Sequence, residues 1–372
     1  MLIIGAGLAG AMAAYELARA GLKVIVTDRR EPGRGSTAAS TALLSYELDT
    51  PLHQLAEQVG EASAARCYRL AQDGIERTAA ICADLPDVCG FERRPSLLVA
   101  HDPAAAEMLQ RELRSRREAG FEVTQLTRAA IEDRYPFTAP AALWSAGCAE
   151  VDPFALTHAL LDDAFDHGAL IHSHSKATAP AGPPPFEVAT DAGGVVTCKH
   201  IVLAGGYEAA DCLPGRDALT LTSTYALATT PAPALKGWDD RALICTTARP
   251  YLYLRTTPNN RVLIGGGDEQ GLTAADRDAL IPDKTSHLMA RLWHLFPKVR
   301  VEPAFAWSGF FIESPDSLPY IGRVRKGVYT ALCYGANGSS FAPVAARILR
   351  ELITTGESQD AALFDPARAA GR

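Results

Sequence analysis

The chain has 372 residues, of which 48 % are hydrophobic and 21 % charged, and a formal charge of −7. That length exceeds the size at which one core keeps growing, so two lobes are expected. The acidic balance is mixed along the chain with no long single-sign run, which argues against a nucleic-acid partner, and no apolar stretch is long enough for a membrane span.

The first element is a strand at Leu2–Ile4, followed by Gly5, Gly7 and Gly10 in the pattern G-x-G-x-x-G. Gly5 suits a tight turn, Gly7 lets a pyrophosphate approach the backbone, and Gly10 lets a helix close on the sheet. Ala11–Ala20 is rich in helix formers and stops at Gly21. Leu22–Thr27 reads as a second strand, and Asp28 ends it where an acid binds adenosine ribose hydroxyls. The order of strand, glycines, helix, strand and acid predicts dinucleotide binding. The acid disfavours a 2′-phosphate, so NADP is not expected; NAD and FAD are not separated by this segment. Only four residues precede Gly5. This leads us to expect a natural start a few residues upstream. No basic n-region precedes the apolar run, so a secretory leader is not expected.

Next comes "RREPGRGSTAASTALLSYELDTPL", where Ser36, Thr37, Ser40 and Thr41 are candidates for bonding phosphate or flavin edges from a helix start, with a solvated loop as the alternative. Residues 53–83 have helical periodicity, "SLLVA" at 96–100 reads as a strand, and Ala104–Ala119 as a charged surface helix. "TRAAIEDRYPF" ends a helical turn at Pro136. In "VDPFALTHALLDDAFDHGA", Asp152 is the expected N-cap, Pro153 the first helical residue and Gly168 the C-terminal stop. "LIHSHSKAT" reads as a strand, and "FEVATDAGGVVTCKHIVLAGG" as a hairpin followed by a strand. Residues 217–313 are rich in strands, with a helix near 284–296. "GVYTALCYGANGSSFAPVAARILRELI" reads as strand, glycine loop and long helix, with Pro343 in the first turn. The segments 1–50, 150–210 and 315–355 are Rossmann-like, so the nucleotide lobe is assembled from separated pieces with a second lobe inserted between them.

This arrangement resembles the FAD-dependent D-amino-acid-oxidase-like superfamily, which includes glycine and sarcosine oxidases. The resemblance spans nearly the whole chain. It rests on "IIGAGLAG" with Asp28, on "VDPFALTHAL", on "IVLAGGYEA", and most specifically on "WSGFFIESPDSLPYIG" followed by "YGANGSSFAPVAARIL". It implies an α/β fold. A Rossmann-like, glutathione-reductase-like FAD-binding domain is expected at 1–84, 150–215 and 314–372, and an α+β substrate domain built on an antiparallel sheet at 85–149 and 216–313. By the same resemblance Gly5, Gly7, Leu8, Ala9 and Gly10 hold the pyrophosphate. Asp28 holds the ribose and Arg29 lies beside the AMP moiety. Ala177 meets adenine through its backbone, and Ala204 and Gly205 pack on the cofactor. Gly335, Asn337, Gly338, Ser339 and Ser340 approach the isoalloxazine, where a helix N-terminus favours the charge of the reduced ring. The sequence has no second G-x-G-x-x-G unit, and "LIGGGDE" at 263–269 opens no clear helix. Electrons are therefore expected to leave to oxygen or to an external carrier, an acceptor protein among them. Sarcosine-oxidase relatives attach flavin through a Cys before a "TPD"-like segment. Val301–Pro315 contains none, so non-covalent FAD is expected. Cys333 reads as core.

One departure bears on the substrate. Amino-acid-oxidising relatives carry an Arg after the Trp-x-Gly segment that pairs with the substrate carboxylate, whereas here the chain reads Gly309-Phe310-Phe311-Ile312. Either another Arg supplies that clamp or the substrate has no carboxylate. In "ARPYLYLRTT", Arg249, Tyr251, Tyr253 and Arg255 share one strand face, and Pro250, Leu252 and Leu254 the other. The first face is a candidate pocket wall, with Tyr251, Tyr253 and Arg255 as site residues; a solvated sheet face is the alternative. Tyr46 and Glu47 are candidates for the substrate side, a capping or surface role being the alternative for Glu47. Phe310 or Phe311 is a candidate for walling an apolar pocket or stacking on a cationic amine, with at least one of the two expected in the core.

The eight cysteines, Cys67, Cys82, Cys89, Cys148, Cys198, Cys212, Cys245 and Cys333, form no CxxC pair and read as reduced, buried apolar residues of a cytoplasmic protein. His172 and His174 alternate without a third ligand, so no metal is expected. The reading reached from sequence is an FAD oxidoreductase that oxidises the C–N bond of a small amine or amino acid. A hydroxy-acid or alcohol dehydrogenase, and a non-catalytic flavin-binding subunit of a larger oxidase, are the alternatives. Oligomeric state is not legible.

Overall fold

The computed structural model describes residues 1–371 apart from Val88, Pro214 and Cys333, so the expectation for Cys333 lies outside the described residues. The first of two large sheets has six strands in the order Tyr320–Arg325, Val328–Leu332, Ile201–Leu203, Leu2–Ile4, Ile25–Thr27 and Leu170–His172. Its neighbours run parallel except the first pair. Leu2, Ile3, Val26, Ile201 and Val202 are fully buried, as strands covered on both faces must be. The helix Leu8–Arg19 packs between Pro153–Asp166 and Gly338–Thr354. Its alanines Ala11, Ala13, Ala14 and Ala18 let the three axes approach closely. Gly10 is required here, because a Cβ at that position would collide with the Gly5 carbonyl oxygen.

The second sheet orders Pro303–Glu313, Thr220–Thr229, Val262–Gln270, Leu252–Thr256, Leu243–Thr246, Glu92–Val99, Ala141–Glu150 and Leu43–Leu44, with Val123–Thr127 also paired to Ala141–Glu150. It is antiparallel except where Leu243–Thr246 meets Glu92–Val99. One face buries Leu252, Leu254, Ile264 and Tyr225 against Leu288, Leu292 and Phe296, with Trp238 stacked on Phe296 at 4.4 Å. The other face turns toward the first lobe.

Several elements depart from the sequence expectations. The helix expected over 53–83 is two helices, Leu52–Val59 and Glu61–Asp84, broken at Gly60 with φ +87°. Leu43–Leu44 lies in a stretch expected to belong to the nucleotide lobe, yet it pairs with Glu150 and Ala149 of the second sheet. Pro343 stands in the second turn of Gly338–Thr354 rather than the first. The strand expected across "LIHSHSKAT" stops at His172, and Ala177 makes an isolated bridge to Thr190. "LIGGGDE" lies inside the strand Val262–Gln270. Asp152 caps its helix by accepting from the amides of Phe154 and Ala155 at 2.9 and 3.0 Å, and Gly168 follows with φ +87°.

Candidate active site

A cavity of about 1390 Å³ runs between the two sheets. It exceeds the usual volume for one drug-sized ligand and suits an extended one. At one end the wall is Gly5, Gly7, Leu8 and Ala9, then Asp28 and Arg29. Ser36, Thr37, Ser40 and Thr41 follow, with Ala177 and then Ala204 and Gly205. Gly335, Asn337, Gly338 and Ser339 line the middle. Two helix N-termini, at Gly7–Leu8 and Asn337–Gly338, open on this one space. Neither N-cap residue, Gly7 or Asn337, caps its helix with a side chain, and neither first turn holds an acid. Such termini present free amide donors and positive dipole ends to an anion.

Local bonds hold this wall in place. Asp28 accepts from the amides of Ala6 and Arg30, each at 2.8 Å, so the carboxylate that ends the second strand also fixes the glycine turn. Thr37 Oγ1 accepts the Leu8 amide at 3.0 Å. We expect Thr37→Ala to orphan that donor and weaken retention of a dinucleotide held at this turn by about 2- to 30-fold, the span of a lost helix cap; equilibrium dialysis measures it.

Four expected site residues do not line the cavity. Gly10 stands behind the glycine turn, under the Gly5 carbonyl. Ser340 is 1 % exposed and donates from Oγ to the Ser45 carbonyl at 2.8 Å, which ties the last helix to the Ser/Thr segment. Tyr46 is 1 % exposed and stacks on Phe121 with ring centroids 5.3 Å apart. Arg255 is buried beneath the pocket wall, its Nε donating to the Thr41 carbonyl at 2.5 Å and Nη1 to Glu150 at 3.3 Å. With its charge already compensated by a buried carboxylate, it is not available as a substrate clamp.

Arg249, Tyr251 and Tyr253, which share the expected strand face with Arg255, do line the cavity. The Tyr253 ring lies across Gly265, where any Cβ would collide with it, and burial pushes its hydroxyl up to about 12. Tyr251 donates its hydroxyl to the Asp49 carbonyl at 2.6 Å. Arg249 lies over the Tyr251 ring at 3.3 Å. Burial lowers its pKa, against the pull of Asp49, Glu313 and Asp268. Phe310 and Phe311 both line the cavity, so neither belongs to the core. Phe310 packs edge-on to Tyr207 at 5.6 Å and under Arg277 at 4.1 Å.

Three carboxylates at this end were not singled out from sequence. Asp49 accepts the Ala336 amide at 2.9 Å, and burial pushes its carboxyl up to about 6. Asp268 lies beside Thr224; burial raises its pKa, and its Oδ1 has no hydrogen-bond partner. Glu313 accepts from Thr222 Oγ1 at 2.8 Å. The register shift between Ser223 and Tyr225 bends the strand at Gly266, whose φ of +136° and contact with the Tyr251 carbonyl admit no side chain. A bulge of this kind re-aims the neighbouring Asp268 toward the cavity. Glu313 was legible in principle, since strand alternation from Gly309 and Phe311 puts it on the same face.

Glu47 lines the cavity too, and its carboxylate is taken by Arg116 and by the Ser145 hydroxyl at 3.0 Å, rather than serving as a cap or surface charge. Arg116 is joined in turn to the fully buried Glu112 at 2.6 Å.

A parallel sheet with a glycine turn, two helix N-termini opening on one elongated cavity, and a facing antiparallel sheet define a protein of the dinucleotide-binding class. The chain belongs to the family of FAD-dependent oxidoreductases, whose model matches residues 1–352. Among curated relatives, it is 26 % identical to glycine oxidase of Geobacillus kaustophilus (strain HTA426), covering 100 % of this chain and 97 % of that one. It is 25 % identical to gamma-glutamylputrescine oxidoreductase of Escherichia coli (strain K12), covering 94 % and 82 %. The crystal structure of glycine oxidase from Geobacillus kaustophilus superposes with a TM-score of 0.80 at 21 % identity, over 99 % and 97 % of the chains. L-proline dehydrogenase from P. horikoshii does so with a TM-score of 0.78 at 19 % identity, over 99 % and 96 %. These two solved structures share the fold. No helix among the described residues is long and apolar enough to cross a membrane.

Proposed function

We propose that this FAD-dependent oxidoreductase oxidises the C–N bond of a small amine or amino acid to an imine, with FAD held non-covalently and reoxidised by oxygen or an external acceptor. The observation that carries the reading is the single cavity that begins at the Gly5–Gly10 turn and ends on Arg249, Tyr251 and Tyr253. When bound, FAD supplies a two-electron acceptor. The substrate carbon gives up hydride and its nitrogen a proton; water then adds to the C=N bond and ammonia or an amine leaves.

The chain's own residues position and shield. The Gly7 and Asn337 helix ends would favour anionic portions of the cofactor. Tyr253 and Phe311 wall the substrate end and exclude water. Arg249, with no ion-pair partner among the described residues, takes the place that sequence reading gave to Arg255 as the group that meets a carboxylate. An amine that binds neutral needs no strong base. Asp49, with its carboxyl raised to about 6, is ionised at neutral pH and stands at the same end. Affinity for a protonated amine is expected to fall as pH drops through about 6, where Asp49 gains a proton and loses its charge. An Asp49→Asn variant should lack that inflection in a pH series of KM.

The test is product analysis. Holoenzyme turned over with amines and amino acids should release one carbonyl compound and one ammonia or amine per two electrons. A second reading, oxidation of a hydroxy acid, draws support from Asp49, which supplies the base that such a reaction needs. Turnover of 2-hydroxy acids, with no release of nitrogen from any amine, would favour it.

A further inference from the structure

We propose that the substrate carries a second protonated nitrogen, besides the one on the carbon that is oxidised, and that Asp268 and Glu313 hold it. The chemical class is an aliphatic diamine or an amino acid with a basic side chain. The inference rests on the amine reading above and narrows it.

The site is defined by the cavity; the charges on its wall define what fills it. At the substrate end Asp49, Asp268 and Glu313 face Arg249, so this wall holds an excess of negative charge. The neighbouring acid Glu269 is already satisfied by Lys284 Nζ at 2.5 Å. Among the described residues no Lys, Arg or His lies within ion-pairing distance of Asp49, Asp268 or Glu313, and Arg249 has no such carboxylate. Asp268 is the most demanding of the three. Its Oδ1 makes no hydrogen bond of ordinary length; the neutral Thr224 hydroxyl lies beside it and lowers its pKa, but brings no charge to match the carboxylate's.

The sheet sets these groups side by side. Thr222 stands opposite Phe311, Thr224 opposite Gly309, and Thr220 opposite Glu313. Glu313 reaches Thr222 diagonally, and Asp268 lies beside Thr224. Phe311, opposite Thr222, is apolar, and the donors these two acids meet are neutral hydroxyls. A neutral amino acid places one carboxylate on Arg249 and leaves these acids uncompensated. The reacting nitrogen does not answer them either, because it must give up its proton for the C–N bond to be oxidised. A distal ammonium stays charged throughout and supplies the missing donor.

The experiment compares pairs that differ only in the second nitrogen: cadaverine against n-pentylamine, and lysine against norleucine. Each is mixed anaerobically with the holoenzyme while flavin absorbance is followed. The expected result is half-saturation at a concentration about tenfold lower, or better, for the member with the second nitrogen, the span of one charge-assisted hydrogen bond. Glu313→Gln and Asp268→Asn should each shrink that ratio by about tenfold. The wild-type ratio stands as a test even where a variant fails to fold. If pentylamine or norleucine reduces the flavin as well as its partner, the inference is overturned while the amine reading stands. If neither member of either pair reduces the flavin but glycine or sarcosine does, the result is the same. If no amine of any kind does, both fall together.

Discussion

Glu112→Ala is expected to destabilise the protein by about 3–5 kcal/mol, the cost of breaking a buried ion pair, read as a shift of the urea unfolding midpoint. Glu112 is fully buried and serves three partners at once. Its Oε1 accepts from the Leu52 amide at 2.9 Å and from Arg116 Nε at 2.6 Å; its Oε2 accepts from the His53 amide at 3.1 Å and contacts His53 Nδ1 at 2.7 Å. The helix Leu52–Val59 follows Pro51, which provides no side-chain cap, so Glu112 satisfies its first amides from outside. Removing the carboxylate orphans those donors and leaves Arg116 to Glu47 alone. Burial pushes the Glu112 carboxyl up, but His53, Arg116 and the Leu52 amide outweigh it and hold it down at about 2. An acid held below its ordinary value stabilises the fold above that value. The contribution is lost as pH falls from about 4.5 toward 2. The stability gap between wild type and Glu112→Ala should therefore narrow across that window. A gap that stays constant would contradict the assignment.

Arg249→Met is expected to lower kcat/KM for substrates that carry a carboxylate by about 10- to 100-fold, as removal of a charge-assisted hydrogen bond does. For a diamine the effect should reverse, because the variant removes a cation that repels it and leaves Asp268 and Glu313 in place. Steady-state kinetics on lysine and cadaverine read both arms. Equal losses on the two substrates would show that Arg249 acts through the shape of the wall rather than its charge. Arg255→Met is expected to act differently, through stability, since it would leave Glu150 buried with only Arg94 as its cation, at 3.0 Å.

What was legible in the sequence was local. The geometry of the Gly5–Gly10 turn, the place of Asp28 at the end of its strand and the Asp152 cap are each defined by residues within one strand-turn-helix unit, and each is present in the structure. The strand face of Arg249, Tyr251 and Tyr253 followed from alternation alone. What was not legible depends on distant partners. Arg255 obeys the same alternation, yet Glu150, 105 residues away in sequence, claims it. Tyr46 is fixed by Phe121, and Ser340 by Ser45. Asp268 faces the cavity because the strand bulges beside it, and no periodicity shows where a register will shift. Gly60 broke a long helix that the apolar pattern alone carried through, since such a pattern says which face is buried and not whether the axis continues.

The measurement that bears most directly on the central claim is anaerobic titration of the purified holoenzyme, first with amines and amino acids and then with 2-hydroxy acids. The account predicts that FAD is released intact by acid precipitation, and that an amine or amino acid bleaches the flavin with stoichiometric loss of nitrogen from the product. Bleaching by a hydroxy acid alone, or by none of these, would contradict it.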